Sequence, residues 1–567
     1  MRPFLVTDRQ AVKLPRLGLL ALCLLYVVPG LVGRDPWRHD DAAGFGIALT
    51  MARGGAAEWL APSIAGEPVF QDGGFPYWIG AAFIRAMPFA TEHFAARTAA
   101  AAGLGLLLAM LWYATYALAR RAGVQPTDPF GASASSVDFG RAIADSALLV
   151  LLATLGVIAR VHQTTAEAAQ LAIVAAFMLG AAAGIERPLA GGALAGLALA
   201  ATVATRGMLT AGAIAACAIA LPLLSRPWRL VAPRWLASTF GVGLPAALAW
   251  PLALWLAGPG GAAHVQGWLD WNASQLRGLS PQGLAYLART LPWFLWPSWP
   301  LALWAVIRWR GRIGEPAIAL PLALLVGFGG VALLTCDFGD EFLLPLALPA
   351  ALLAAFGLPT IRRSVASLID WFAVMTFSVI GVAVWAYWLA LVTGFPPRMA
   401  YKASQIVPGF EPESIAIDIV LGLLASAAWV ALVRWRAASR TQMLWRPVVL
   451  SASGLVLAWF LLMTLWLPAF NTRSTYREVS NEAAAVLPAD YGCIGTERLG
   501  RAERASLYYF ANLRFGHASQ RCGGLLVQES GPLGEQRRIM PPEGYELRWK
   551  GARPRDRDHH LRLYRRL

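Results

Sequence analysis

Two adjacent carboxylates, Asp40 and Asp41, follow the first apolar segment, in Trp37-Arg38-His39-Asp40-Asp41-Ala42-Ala43-Gly44-Phe45-Gly46. A second polar stretch, Gly66-Glu67-Pro68-Val69-Phe70-Gln71-Asp72, comes shortly after. Charge at a bilayer edge is expensive, so a cluster of this kind marks a candidate site. A carboxylate there can act as a general base on an acceptor hydroxyl or hold a divalent cation. Other ionisable residues stand near the ends of apolar segments: His162, Glu167 and Arg206, with Arg277 in a longer loop. Each of the first three also has a plainer reading. His162 suits a helix cap, Glu167 complements a helix dipole, and Arg206 anchors a helix end at the interface.

The chain that must position these groups belongs largely in lipid. Of its 567 residues, 57% are hydrophobic and 14% charged, and the mean hydropathy is +0.52. Soluble domains carry roughly 25% charge. The 24 Trp fit a membrane protein, because Trp collects at membrane interfaces. A net charge of +15 would suit nucleic-acid binding, but the arginines sit in short loops between apolar segments, where topology requires them. Nucleic acid is therefore not an expected partner.

At about 20 apolar residues per crossing, about thirteen spans are expected. They fall near 15–33, 96–119, 142–160, 166–184, 188–205, 209–225, 235–257, 290–308, 316–335, 341–358, 368–393, 415–434 and 447–467. The first reads as a retained span, since no small-residue cleavage site follows it. The piece from Phe75 to Met87 is too short to cross and is expected to lie along the interface. Arginine is concentrated in alternate loops, including Arg120, Arg121, Arg226, Arg229, Arg362 and Arg363. The positive-inside rule then puts the N-terminus in the cytoplasm. Loops 34–95, 258–289 and 394–413 lie outside, with everything after about residue 468. The expected division is a membrane domain over 1–467, whose first external loop carries the site, and a small soluble α/β domain over 468–567. Cys23 and Cys217 lie in apolar segments and read as packing residues. Cys336 falls at an external helix end. Thiols outside the cytoplasm tend to pair, so a Cys493–Cys522 disulfide is expected in the outer domain.

A transporter of lipid-linked sugar, a flippase, would need charge along mid-span and internal repeats. This chain keeps its ionisable groups at the external helix ends, which suits a reaction at the water–lipid boundary. The residues there carry a resemblance. Asp40-Asp41-Ala42-Ala43-Gly44-Phe45-Gly46 resembles the Asp-Glu-x-x-x-Phe/Tyr-Gly/Ala motif of bacterial glycosyltransferases of the protein-mannosyltransferase superfamily, the group that includes the lipid A aminoarabinose transferase. His162 and Glu167 resemble its His-x4-Asp, and Arg206-Gly207 its Lys-Gly. Leu291-Pro292-Trp293 with Trp296-Pro297, and Phe342-Leu343-Leu344-Pro345 with Leu348-Pro349-Ala350, resemble its later proline motifs. The matches keep their order from about residue 37 to 360.

The resemblance implies an all-α polytopic membrane protein of GT-C type, with a small periplasmic α/β domain at its C-terminus, in a bacterial inner membrane. It implies inverting transfer of a sugar from a polyprenyl-phosphate donor to a periplasmic glycolipid or glycan such as lipid A. Asp40 becomes the general base. Asp41 becomes its support or a ligand for a divalent metal ion, and Glu167 a second catalytic acid. His162, Gln71, Asp72 and Tyr77 become substrate contacts. One segment departs: Gln71-Asp72-Gly73-Gly74 stands where the family has Glu-Lys-Pro-Pro, and Gly339-Asp340-Glu341 stands where a basic residue is common. The phosphate contact then falls to another cation, Arg206, Arg53, Arg85 or Arg277. Otherwise the donor head differs, or the chain is a catalytically degenerate scaffold that binds lipid-linked glycan.

Overall fold

The computed structural model describes residues 6–7, 10–37, 39–126, 134–335, 339, 341–411, 416–438, 443–488, 491–516, 522–530, 544–553 and 559–567. Arg38, Cys336 and Asp340 lie outside the described residues. Among the described residues, eight helices are long and apolar enough to cross a membrane: Glu92–Ala119, Ala166–Gly184, Pro188–Leu224, Arg226–Leu256, Pro316–Thr335, Arg363–Thr393, Ala416–Ala438 and Arg446–Leu465. A backbone in hydrocarbon must satisfy its own hydrogen bonds, and helices do so. The chain is a multi-pass membrane protein.

The expected count of about thirteen spans is not confirmed among the described residues. Two expected spans, 188–205 and 209–225, fall on the two halves of Pro188–Leu224, two helices that meet where the backbone leaves helical geometry at Gly207 (φ 80°, ψ −166°). Glycine tolerates that conformation, so the break falls immediately after Arg206. Four other expected spans hold shorter helices: Arg16–Val27, Ser136–Leu152, Ser298–Trp309 and Ala347–Gly357. Proline explains two of these. Pro297 separates Pro281–Phe294 from Ser298–Trp309, and Pro345 holds the turn before Ala347 in a 3-10 conformation.

The segment between the first two long apolar stretches folds into structure of its own. It contains helix Asp40–Arg53, helix Ala56–Leu60, a hairpin of β1 (Ser63–Ile64) and β2 (Glu67–Pro68), and helix Phe75–Ala86. Asp40 and Asp41 open the first helix, where carboxylates complement the positive end of the dipole. Phe45, Leu49, Ile64, Tyr77 and Ile84 form its small core.

The C-terminal part is a four-stranded sheet of β3 (Ile494–Glu497), β4 (Gly524–Ser530), β5 (Tyr545–Gly551) and β6 (His559–Arg566), in the order β3-β4-β6-β5. β3 and β4 are parallel, and the other pairs antiparallel. A parallel pair needs a crossover, and helix Arg501–Phe510 lies in that connection. A Cys493–Cys522 disulfide ties together the starts of β3 and β4. Leu507, Leu526, Leu561 and Leu563 pack with Tyr476 and Val479 as the core.

The sheet domain docks on the Asp40–Arg53 helix and its hairpin. Arg504 is buried and donates from Nε to the Ile64 carbonyl (2.8 Å) and from Nη2 to the Ala65 carbonyl (3.0 Å). Ala505 enters the small core beside Phe45 and Ile64. Arg477 pairs with Asp35. Trp37 Nε1 donates to Asn471 Oδ1 at 2.9 Å.

Candidate active site

A polar cavity of about 600 Å³ opens where these units meet. Asp40 lines it from the first turn of its helix, and Gln71, Asp72 and Tyr77 line it from the next segment. Glu167 enters from the first turn of Ala166–Gly184, and Arg206 from the residue before the Gly207 break. Arg277 and Glu341 come from later loops.

Arg206 organises the cavity floor. Its Nη1 donates to Asp72 Oδ1 (2.8 Å) and to Glu167 Oε1 (2.7 Å), and its Nη2 to Glu341 Oε2 (2.7 Å). The Arg206 side chain is 5% exposed, so these contacts are made largely out of water. Three carboxylates on one guanidinium leave excess negative charge. Burial raises Asp72 to about 6 against the pull of Arg206, with Glu167 adding to the rise. Burial raises Glu341 to about 7 in the same way. Both carboxyls therefore change charge near neutral pH.

Asp40 is an exposed carboxylate of the cavity, and Arg160 stands 3.9 Å from its Oδ2. Partial desolvation at the cavity wall raises its carboxyl above the usual range, and Glu167 adds to this. That shift suits proton abstraction from an acceptor. The residues His39 and Asp72, both on the cavity wall, have φ of 67° and 65°. Such positive values are uncommon for residues other than glycine, and they cluster at functional sites.

The departure at Gly73 has a steric cause. Its N–H donates to the Thr205 carbonyl at 3.1 Å. A Cβ there would come within 2.2 Å of the Ala204 carbonyl oxygen. Proline could neither donate this bond nor fit the space. The chain thus packs the Asp72 segment directly against the backbone beside Arg206, which brings Asp72 onto its guanidinium.

Several candidates lie elsewhere. Asp41, expected to support catalysis or hold a metal, is 1% exposed and does not line the cavity. Its Oδ2 pairs with Arg34 (3.1 Å) and Arg97 (2.9 Å), and its Oδ1 accepts from the Thr164 N–H (2.8 Å) and hydroxyl (3.0 Å). Burial alone would raise this carboxyl, but Arg97 and Arg34 outweigh it and hold the group well below the carboxylate range. Asp41 is a buried clamp between the first helix and the segment before Ala166. No group of three or more His, Cys, Asp or Glu is placed for a metal ion among the described residues. His162 is buried, with its ring nitrogens against the Ile158 and Tyr26 carbonyls at 2.5 and 2.7 Å. Arg53 pairs with Glu92 at 2.7 Å, and Arg85 donates to the Ala52 carbonyl at 2.9 Å. None of these three lines the cavity.

Two contributions have no signal in the motifs. Glu341 stood in the sequence only as the third residue of a departure. Arg501, Glu503 and Gln528 reach the cavity from the C-terminal domain, and only tertiary docking brings them there.

Beside the polar cavity runs an apolar groove of about 950 Å³. Phe75, Trp78, Phe83, Leu104, Met110 and Leu197 line it together with many alanines. Gly44, Tyr77 and Thr165 border both spaces, so the groove and the carboxylate cavity adjoin there.

No family model and no curated protein matches the chain. Among solved structures it is similar to ArnT from Cupriavidus metallidurans bound to undecaprenyl phosphate, with TM-score 0.69 and 14% identity over 97% of each chain. It is likewise similar to the apo state of that protein, with TM-score 0.65 and 13% identity over 97% of each chain. With 97% of each chain covered, the match takes in the membrane helices and the C-terminal sheet alike, and the chain has the membrane fold of ArnT.

Proposed function

We propose that the chain is a glycosyltransferase that moves a sugar from a polyprenyl-phosphate donor to a cell-envelope acceptor, a glycolipid such as lipid A or another glycan. On this reading it works in a bacterial inner membrane, with the cavity and the C-terminal domain in the periplasm. The observation that carries it is an apolar groove that adjoins a carboxylate cavity at Gly44, Tyr77 and Thr165. A polyprenyl tail suits the groove, and its sugar phosphate then projects into the cavity. The solved ArnT structure bound to undecaprenyl phosphate supports the choice of donor.

Asp40 takes the proton of the acceptor hydroxyl. The hydroxyl oxygen bonds to the anomeric carbon of the sugar as the bond from that carbon to the phosphate oxygen breaks. Polyprenyl phosphate leaves with the bonding electrons, and attack from the opposite face inverts the anomeric centre. Glu167 and Asp72, fixed by Arg206, line the space for the sugar and can accept from its hydroxyls. Tyr77 stands where the tail enters.

A binding scaffold is the second reading. It is favoured by the engagement of Arg206 with three carboxylates and by Asp72 in place of a lysine. Mass spectrometry of envelope glycolipids, with and without the chain, separates the two. The enzyme predicts a sugar present only when the chain is present. Identical glycolipid profiles would leave only the scaffold.

A further inference from the structure

A donor phosphate needs a cation, and the family lysine is here Asp72. Arg53 is held by Glu92 through Nε (2.8 Å) and Nη2 (2.7 Å), outside the cavity. Arg85 is spent on the Ala52 and Gly54 carbonyls. Arg206 is inside, but three carboxylates surround its one guanidinium. An incoming phosphate would meet a net negative group there.

Arg277 and Arg501 also line the cavity. Arg501 is the first residue of helix Arg501–Phe510, and its side chain is exposed into the space. The helix is fixed. Arg504, one turn on, is anchored to the hairpin carbonyls. Glu503, the nearest acid in sequence, accepts from the Tyr476 hydroxyl at 2.5 Å and from Gln528 at 3.3 Å. The charge of Arg501 reaches Asp40, Asp72 and Tyr77. Tyr77 is one of the three residues shared by groove and cavity, where a phosphate at the head of a polyprenyl tail would lie.

We propose that Arg501, supplied by the C-terminal domain, binds the phosphate of the polyprenyl donor and takes the place of the missing lysine. The proposal rests on the transferase reading and makes the C-terminal domain part of the active site.

The test is binding of undecaprenyl phosphate to the full-length chain in detergent micelles, with phosphatidylglycerol as the control lipid. R501Q is expected to weaken binding about tenfold, the scale of one charge-assisted hydrogen bond. R501E is expected to weaken it further. R501K should stay within about threefold of wild type, because lysine also binds phosphate as a point charge. Phosphatidylglycerol binding and the melting temperature should not move. Wild-type affinity in R501Q would overturn the proposal, as would an equal loss for phosphatidylglycerol. If the wild-type chain itself fails to bind undecaprenyl phosphate, the transferase reading falls too. That result is distinct from R501Q binding like wild type.

Discussion

Removing Arg206 should destabilise the protein most at alkaline pH. Arg206→Ala leaves Asp72, Glu167 and Glu341 facing one another without their shared cation. Asp72 and Glu167 are 15% and 16% exposed, so each of those two contacts is worth about 1.5 kcal/mol as a charge-assisted hydrogen bond. Glu341, 35% exposed, is better screened and contributes less. The expected loss is about 3 kcal/mol at pH 8, in line with breaking a buried ion pair. The pH dependence follows from the raised carboxyls. Such groups contribute stability that is present below their unfolded pKa and lost as pH rises through the folded value, about 6 for Asp72 and about 7 for Glu341. Without Arg206 both rise further and remain protonated at pH 6. The variant should therefore lose less at pH 6 than at pH 8. Intrinsic tryptophan fluorescence during thermal unfolding in detergent is the assay, with an expected fall of about a few degrees at pH 8. Equal melting of variant and wild type at pH 8, or a larger loss at pH 6, would refute the charge-hub argument.

Three further outcomes are expected. Asp41→Ala should reduce folded protein in the membrane, because it strands Arg34 and Arg97 at a cost of about 3 to 5 kcal/mol; size-exclusion yield measures this, and yields equal to those of Asp40→Asn would contradict the clamp. Ala172→Phe and Ala176→Phe, both in the groove wall, should weaken undecaprenyl phosphate binding without lowering the melting temperature, and unchanged binding would place the tail elsewhere. The KM for the polyprenyl donor should fall as pH drops from 8 to 5.5, because Asp72 and Glu341 become neutral and repel the phosphate less. Glu341→Gln should flatten the upper part of that curve, and a KM that rises on acidification would reverse the sign.

The membrane class and the Asp40 stretch were legible in the sequence, because hydropathy and boundary charge report directly on the bilayer. The roles within that stretch were not. Adjacent residues on a helix point about 100° apart, so Asp40 faces the cavity while Asp41 turns into protein. Nothing in the pair Asp-Asp says which is which, and Arg34 and Arg97 settle it from other elements. Hydropathy located the apolar runs but not where proline or glycine interrupts them, as at Pro297, Pro345 and Gly207. Hydropathy averages over such residues. In the sequence the Gly73-Gly74 departure left open another phosphate contact, a different donor head or a degenerate scaffold. In three dimensions Gly73 lets the chain approach Ala204 and carry Asp72 to Arg206. Glu341 and Arg501 join the cavity from 135 and 295 residues beyond Arg206, a distance over which no local pattern carries information.

The central claim is that Asp40 performs transfer at the head of the lipid groove. The most direct test is sugar transfer by the purified chain from polyprenyl-phosphate sugar to extracted envelope glycolipid, comparing wild type with Asp40→Asn. The expected result is product with wild type and a loss of at least about a hundredfold with Asp40→Asn, at unchanged melting temperature and unchanged undecaprenyl phosphate binding. Equal rates for the two proteins would contradict the account.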